Sequence, residues 1–161
     1  MRTKLMYAAT LLMAFIVTSC GLIPTQVSSS IEAVNVDETA LAIKGYDPVA
    51  YFTKNTPTKG NSQFAANYDG ATYWFSSAKH QKMFTSEPSK YAPQYGGYCA
   101  YGVSKGYKYD IDPEAFAVVD GKLYLNLNKK VQNIWSNDKQ ALIVDANGYW
   151  TNIEKTPSSE L

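Results

Sequence analysis

The sequence predicts an α+β domain made of short antiparallel β-hairpins, each followed by a helix. Three observations carry that prediction. Asp69-Gly70 and Asp120-Gly121 each separate two runs rich in apolar and aromatic residues, and Asp-Gly is a strong hairpin signal because both positions accept φ > 0. Each second run leads into a helix-like segment behind a capping residue. The two halves also match at an offset of 51: Asp69 with Asp120, Gly70 with Gly121, Tyr73 with Tyr124, Ser77 with Asn128, Lys79 with Lys130, Met83 with Ile134 and Phe84 with Trp135. This suggests a duplicated hairpin–helix unit around one core.

In chain order, Arg2 and Lys4 precede an apolar run from Leu5 to Val17. The run is shorter than the roughly 20 residues of a membrane span but fits the hydrophobic part of a secretory signal. It ends in Val17-Thr18-Ser19-Cys20, which resembles a lipobox, so residues 1–19 are expected to be removed and Cys20 to carry lipid. Gly21 follows, and the absence of Asp there favours the outer membrane, facing the periplasm, in a two-membrane cell. Residues 20–30, with Pro24 and the Ser28-Ser29-Ser30 run, read as the lipidated cysteine and a tether. Residues 31–153 are expected to form the domain and 154–161 a frayed tail.

Within the domain, Phe64–Tyr68 and Ala71–Phe75 form the first predicted hairpin, and Ser76 or Ser77 caps a helix to about Thr85. Ala117–Val119 and Lys122–Leu125 form the second, with Asn126 or Asn128 capping a helix to about Trp135. Asp47-Pro48 and Asp112-Pro113 each read as a helix start, with Asp as cap and Pro in the first turn. Asp47-Pro48-Val49-Ala50-Tyr51 also echoes Asp112-Pro113-Glu114-Ala115-Phe116. Short helices are expected at 138–145 and 147–153.

Charge narrows the function. Lys+Arg 15 against Asp+Glu 14 leaves the chain near neutral, and without a basic patch a nucleic-acid role is not expected. Lipidation of Cys20 would leave Cys99 as the one free thiol, so packing must stabilise the domain without an internal disulfide. Thirteen Tyr, three Trp and six Phe suit that task. No phosphate loop, HExxH sequence or nucleophile elbow occurs. With one His and one free Cys, the chain does not read as an enzyme.

His80 is the only histidine. It shares a predicted helix face with Met83 and Phe84 through i, i+3 and i+4 spacing, and these positions align with the apolar Val131, Ile134 and Trp135 of the second half. It reads either as a core histidine held by a backbone group or tyrosine hydroxyl, or as a soft-metal ligand with Met83 and Cys99. Cys99 lies in Tyr95-Gly96-Gly97-Tyr98-Cys99-Ala100-Tyr101-Gly102. Tyr95, Tyr98 and Tyr101 in that loop are candidates for contacting a protein or ligand partner.

Asp47-Pro48-Val49, Tyr68-Asp69-Gly70-Ala71-Thr72-Tyr73-Trp74-Phe75-Ser76-Ser77, then Phe84, Pro88 and Tyr91 resemble the YHS domain family over about residues 45–92. The longer stretch from Ala42 to Gly102 is similar to a secreted branch of that family. The resemblance implies a small metal module, with cysteines after Asp-Pro-Val, after the Tyr-Phe pair and four residues later. Ala50, Ser76 and His80 occupy those positions here. Two of the three thiolates are absent, so the usual zinc set is incomplete. The resulting expectation is a membrane-anchored lipoprotein that binds a soft ion, copper, through His80, Cys99 and Met83 for metal handling. The alternative is a metal-free interaction module in which His80 is structural.

Overall fold

The computed structural model describes residues 33–161. The expected signal peptide, lipidated Cys20 and tether lie outside the described residues. The fold is α+β with two antiparallel hairpins, and it divides into two units of the same element order. The first has a 3-10 turn at Ile43–Gly45, helix α1 (Pro48–Thr53), strands β1 (Asn61–Tyr68) and β2 (Ala71–Phe75), and helices α2 (Ala78–Ser86) and α3 (Pro88–Tyr91). The second has a 3-10 turn at Gln94–Gly97, helix α4 (Ala100–Val103), strands β3 (Asp112–Val119) and β4 (Lys122–Asn126), and helices α5 (Lys129–Asn137) and α6 (Lys139–Ile153).

The correspondence reaches individual bonds. Tyr68 pairs with Ala71 and Val119 with Lys122, and each register is interrupted at the same place, between Asn61 and Ala65 and between Asp112 and Phe116. At the start of each first strand a side-chain oxygen accepts a hydrogen bond two residues on: Gln63 N–H to Asn61 at 2.8 Å, and Glu114 N–H to Asp112 at 2.9 Å. Asp69 and Asp120 both sit at φ 50, with Gly70 and Gly121 at 77 and 71, as a two-residue primed turn requires. Ser77 caps α2 through His80 N, and Asn128 caps α5 through Val131 N. Gln81 donates to Ala65 O, and Gln132 to Phe116 O.

Upstream of the hairpins the offset becomes 52. Ile43, Lys44 and Gly45 take φ 51, 51 and 76, and Tyr95, Gly96 and Gly97 take 56, 58 and 81. Three successive left-handed residues are disfavoured for L-amino acids, so their recurrence marks a turn that both units need. At Gly96 the requirement is absolute, since an added Cβ would lie 1.9 Å from Ala33 O.

Several expectations change. Asp112-Pro113 begins a strand, so its echo of Asp47-Pro48 is not structural; register pairs Asp112 with Asn61. The two helices expected at 138–145 and 147–153 are one, α6, because Ala146 between them is buried on the same face as Leu142 and Ile153. Residues 154–161 are tied to the domain: the buried Lys108 ammonium donates to Glu154 O and Thr156 O, each at 2.7 Å.

One apolar cluster joins the units, packing Val49, Tyr51, Tyr73, Phe75 and Phe84 with Cys99, Ile111, Leu123 and Leu125. A second lies between α4, β4, α5 and α6, around Trp135, Tyr124, Tyr95, Tyr98 and Ala146. Tyr73 meets Phe84 at 4.9 Å, and their equivalents Tyr124 and Trp135 meet at 5.5 Å.

Candidate functional site

The buried charged cluster around the histidine is assembled by three elements. Asp47 is the N-cap of α1, Ser76 follows β2, and His80 lies in the first turn of α2. Pro48 fixes the first turn of α1, and the apolar Val49, Ala50 and Tyr51 draw that helix into the core, so its cap is drawn in as well. Asp47 is 0% exposed and His80 7%. A carboxylate so placed needs a full set of donors, and it has them. Its Oδ1 accepts from Val49 N at 2.9 Å and Ala50 N at 3.3 Å. Its Oδ2 accepts from Ser76 N at 2.8 Å, Ser76 Oγ at 2.6 Å and His80 Nδ1 at 2.6 Å.

This arrangement fixes the imidazole. Nδ1 carries the hydrogen directed at Asp47, and Nε2 faces Thr53 Oγ1 at 3.3 Å. Thr53 Oγ1 also donates to Val49 O at 3.1 Å, so both ring nitrogens have protein partners, with Nδ1–carboxylate the stronger contact.

Cys99 occupies the matching place in the second unit. It caps α4 as Asp47 caps α1, and its N–H donates to Tyr109 O at 3.0 Å as that of Asp47 donates to Thr58 O at 2.9 Å. Its sulfur accepts from Gly102 N at 3.5 Å and Leu127 N at 3.3 Å. These are the counterparts of Ala50 N and Ser76 N around Asp47. The thiol faces Asn126 Oδ1 at 3.9 Å. Burial pushes its pKa up, opposed by the three backbone N–H groups of Gly102, Leu127 and Tyr101. A buried protonated thiol is a poor nucleophile.

His80 and Cys99 therefore belong to separate units and are satisfied by separate partners. Met83 packs against the apolar cluster, and its counterpart Ile134 is exposed, which puts this helix position at the rim of the buried face. Among the described residues no group of three or more His, Cys, Asp or Glu side chains is arranged to hold a metal ion. The positions where the family resemblance places thiolates do come together, but around the Asp47 carboxylate: Ala50 offers its N–H, and the Ser76 hydroxyl and the His80 ring both face Oδ2. Imidazole is the only soft donor there, so the set does not fit a four-ligand structural zinc.

The tyrosine loop also differs from expectation. Tyr95 and Tyr98 are buried: the Tyr95 ring lies 5.9 Å from both Tyr124 and Trp150, and the Tyr98 ring 6.3 Å from Trp150. Tyr95 OH donates to Asn147 Oδ1 at 3.0 Å. Tyr101 is half-buried, under the Lys105 ammonium at 5.7 Å. The outward rings of the segment are Tyr107 and Tyr109, stacked at 5.9 Å.

Asp47 is the site residue that sequence reasoning assigned only a capping role. The available signal was an Asp-Pro cap on a helix whose next three residues are apolar, which places the cap in the interior. No family model, curated protein or solved structure matches this chain.

Proposed function

We propose that the chain is an extracytoplasmic lipoprotein whose YHS-like domain serves as a binding module, its metal locus converted into a buried Asp47–Ser76–His80 lock. The observation that carries this reading is the coordination of Asp47: its carboxylate takes five hydrogen bonds, two from Ser76 and one from His80. The side chains at the expected ligand positions are thus engaged in holding α1, β2 and α2 together. Lipid on Cys20 would anchor the domain at the outer membrane, facing the periplasm.

The test is to express residues 21–161 and load the protein with Cu(I) and Zn(II) under reducing conditions, beside His80→Ala and Cys99→Ser. The lock reading expects no ion retained after a chelator wash. It also expects His80→Ala to melt well below the parent protein. Near one equivalent of copper, lost in both variants, would overturn it in favour of copper handling through a shared His80–Cys99 site.

One observation favours a second reading. A carboxylate on Nδ1 is the usual orientation of a metal-bound histidine and leaves Nε2 as the donor. Retention of copper that His80→Ala abolishes and Cys99→Ser leaves intact would select that reading, with Met83 as the next donor to test.

A further inference from the structure

A cavity of about 250 Å³ opens in the seam between the two units. That is just below the roughly 300–1,000 Å³ of drug-sized pockets, so it suits a small molecule. Tyr68 at the end of β1 and Tyr73 of β2 supply two rings from the first unit, and Tyr95 and Trp150 of α6 supply two from the second. Phe84 backs the first pair, at 5.9 and 4.9 Å, while Tyr95 and Trp150 lie 5.9 Å apart. Asp69, in the turn between β1 and β2, is the one charged residue among those lining the cavity; Ser89, Gln94 and Asn147 add neutral polar groups. The Asp69 carboxylate has no ion pair or side-chain hydrogen bond among the described residues. Tyr73 adds a second unmet group. It is 2% exposed, yet its hydroxyl finds no hydrogen-bond partner among the described residues. It is not one of the sealed polar atoms, which are the Asn126 amide nitrogen and the Trp135 indole nitrogen, so the hydroxyl reaches the cavity. A buried hydroxyl left without a partner costs free energy, which a ligand group can recover. Burial pushes the Tyr73 pKa up, and the Asp69 carboxylate and Tyr68 hydroxyl add to the rise, so the three polar tips lie near one another.

We propose that this cavity binds a small alkylated ammonium ion, its positive head held among the four rings and beside Asp69. Aromatic rings attract such ions through the negative charge of their π-systems, and a carboxylate at the rim adds direct charge complementarity. No basic side chain lines the cavity to oppose a cation. Two lysines approach the same residues and are committed elsewhere. Lys90 pairs with Glu87 at 3.0 Å, and the Lys108 ammonium donates to Glu154 O and Thr156 O. Lys108 also lies 5.6 Å from the Trp150 ring, so this indole already accepts one ammonium from outside the cavity. A neutral sugar would use the rings and the amides but leave the Asp69 charge uncompensated; a cation uses both. The Tyr73 hydroxyl is available to a polar group on the same ligand. The proposal rests on the binding-module reading above and gives that module a ligand. The copper-loading test probes the Asp47–His80 locus and not this cavity, so the two can fail separately.

The test titrates residues 21–161, which contain every described residue, with choline while the indole N–H resonances of Trp74, Trp135 and Trp150 are followed by NMR. Neutral 3,3-dimethylbutan-1-ol, which has the same shape without the charge, and glucose are titrated beside it. The expected result is a saturable shift of the Trp150 resonance with choline, and binding of the neutral isostere weaker by about tenfold or more. Asp69→Asn should weaken choline binding by about tenfold; Asn accepts the φ of 50 at this turn position, so only the charge is lost. Tyr73→Phe keeps the ring, removes the hydroxyl and should weaken binding by about threefold. Asp120→Asn makes the same change in the turn of the second hairpin, which does not line the cavity, and should leave the affinity as it was. Equal affinity for choline and its neutral isostere, or an Asp69→Asn variant that binds choline like the parent, overturns the proposal. A saturable shift with glucose and none with choline assigns the cavity to a neutral polyol and also overturns it. So does the absence of a saturable shift with all of these probes, which leaves the metal-locus reading to its own test.

Discussion

Asp47 shows why a single buried carboxylate can decide the stability of a domain this small. It is removed from water and held by five donors, so deleting one partner leaves the others with an unmet demand. Breaking a buried pair by removing one member costs about 3–5 kcal/mol, a large share of a total of about 5–15 kcal/mol. Asp47→Ala is therefore expected to lower the unfolding free energy by that amount, read as a lower urea midpoint with an unchanged slope, and Ser76→Ala to lower it less, by about 1.5–3 kcal/mol for one hydrogen bond to a charge. A midpoint for Asp47→Ala within error of the parent would show that the cluster stabilises nothing. Cys99 gives a prediction in pH. Its folded pKa is raised by burial above the ordinary 9.0, so the folded state holds the proton more tightly than the unfolded chain. The stability from that difference is complete below about pH 9 and is lost as pH rises from there towards the folded value. Between pH 9 and 10 unfolding free energy should decline more steeply in the parent than in Cys99→Ala, where only the buried tyrosines, also raised from 10.0, contribute to the decline. The same burial predicts that a maleimide labels Cys99 only in denaturant. His80 was legible in the sequence as an inward-facing residue. Its partner was not, because Asp47 lies 33 positions away and only the packing of α1 against α2 joins them.

At the scale of elements, the two units behave as one local design used twice. The hairpins and their helices were legible because Asp-Gly and the following Ser or Asn act within a few residues. Ser77 and Asn128 cap their helices through the N–H three positions on, at 3.2 and 2.9 Å. Replacing either with Ala should cost about 1 kcal/mol. The double variant should cost the sum within about 0.5 kcal/mol if the caps share no partner; a larger deviation would show that the helices communicate. Gly121→Ala is a cleaner probe of the turn. A Cβ there meets nothing within 4 Å, yet φ is 71, so the roughly 1–2 kcal/mol of left-handed strain should appear alone in a denaturant titration. Local logic misread Asp112-Pro113. Asp caps a helix or a bulged strand by the same two-residue hydrogen bond, and the outcome depends on the residues beyond it: Ala115 and Phe116 continue into a strand paired with β4. It also split α6 at Ala146, although the buried Leu142, Ala146 and Ile153 hold one continuous face.

For the whole molecule, the question is whether two similar units fold as two bodies or one. Each unit alone is a hairpin with short helices, too small to bury much surface. The packing crosses between them. Tyr51 of α1 donates to Pro113 O at 3.0 Å and its ring meets Phe116 at 4.9 Å, while Lys44 pairs with Asp110 at 2.8 Å. Leu123 and Leu125 of β4 lie in the same cluster as Phe84 and Val49. The sequence repeat made the units visible, but these contacts run between the units, and a repeat carries no information on how its copies pack, so the shared core could not be read from it. They predict a single cooperative transition. Phe84→Ala in the first unit should cost about 3–5 kcal/mol and lower the midpoint of the second unit equally. Two single-tryptophan variants report on the units separately, one retaining Trp74 and the other Trp150. Coincident urea curves that shift together with Phe84→Ala mean that the interface belongs to one core. Separate midpoints, with only the Trp74 curve moved, would mean that the second unit, including Cys99, stands without the Asp47–His80 lock.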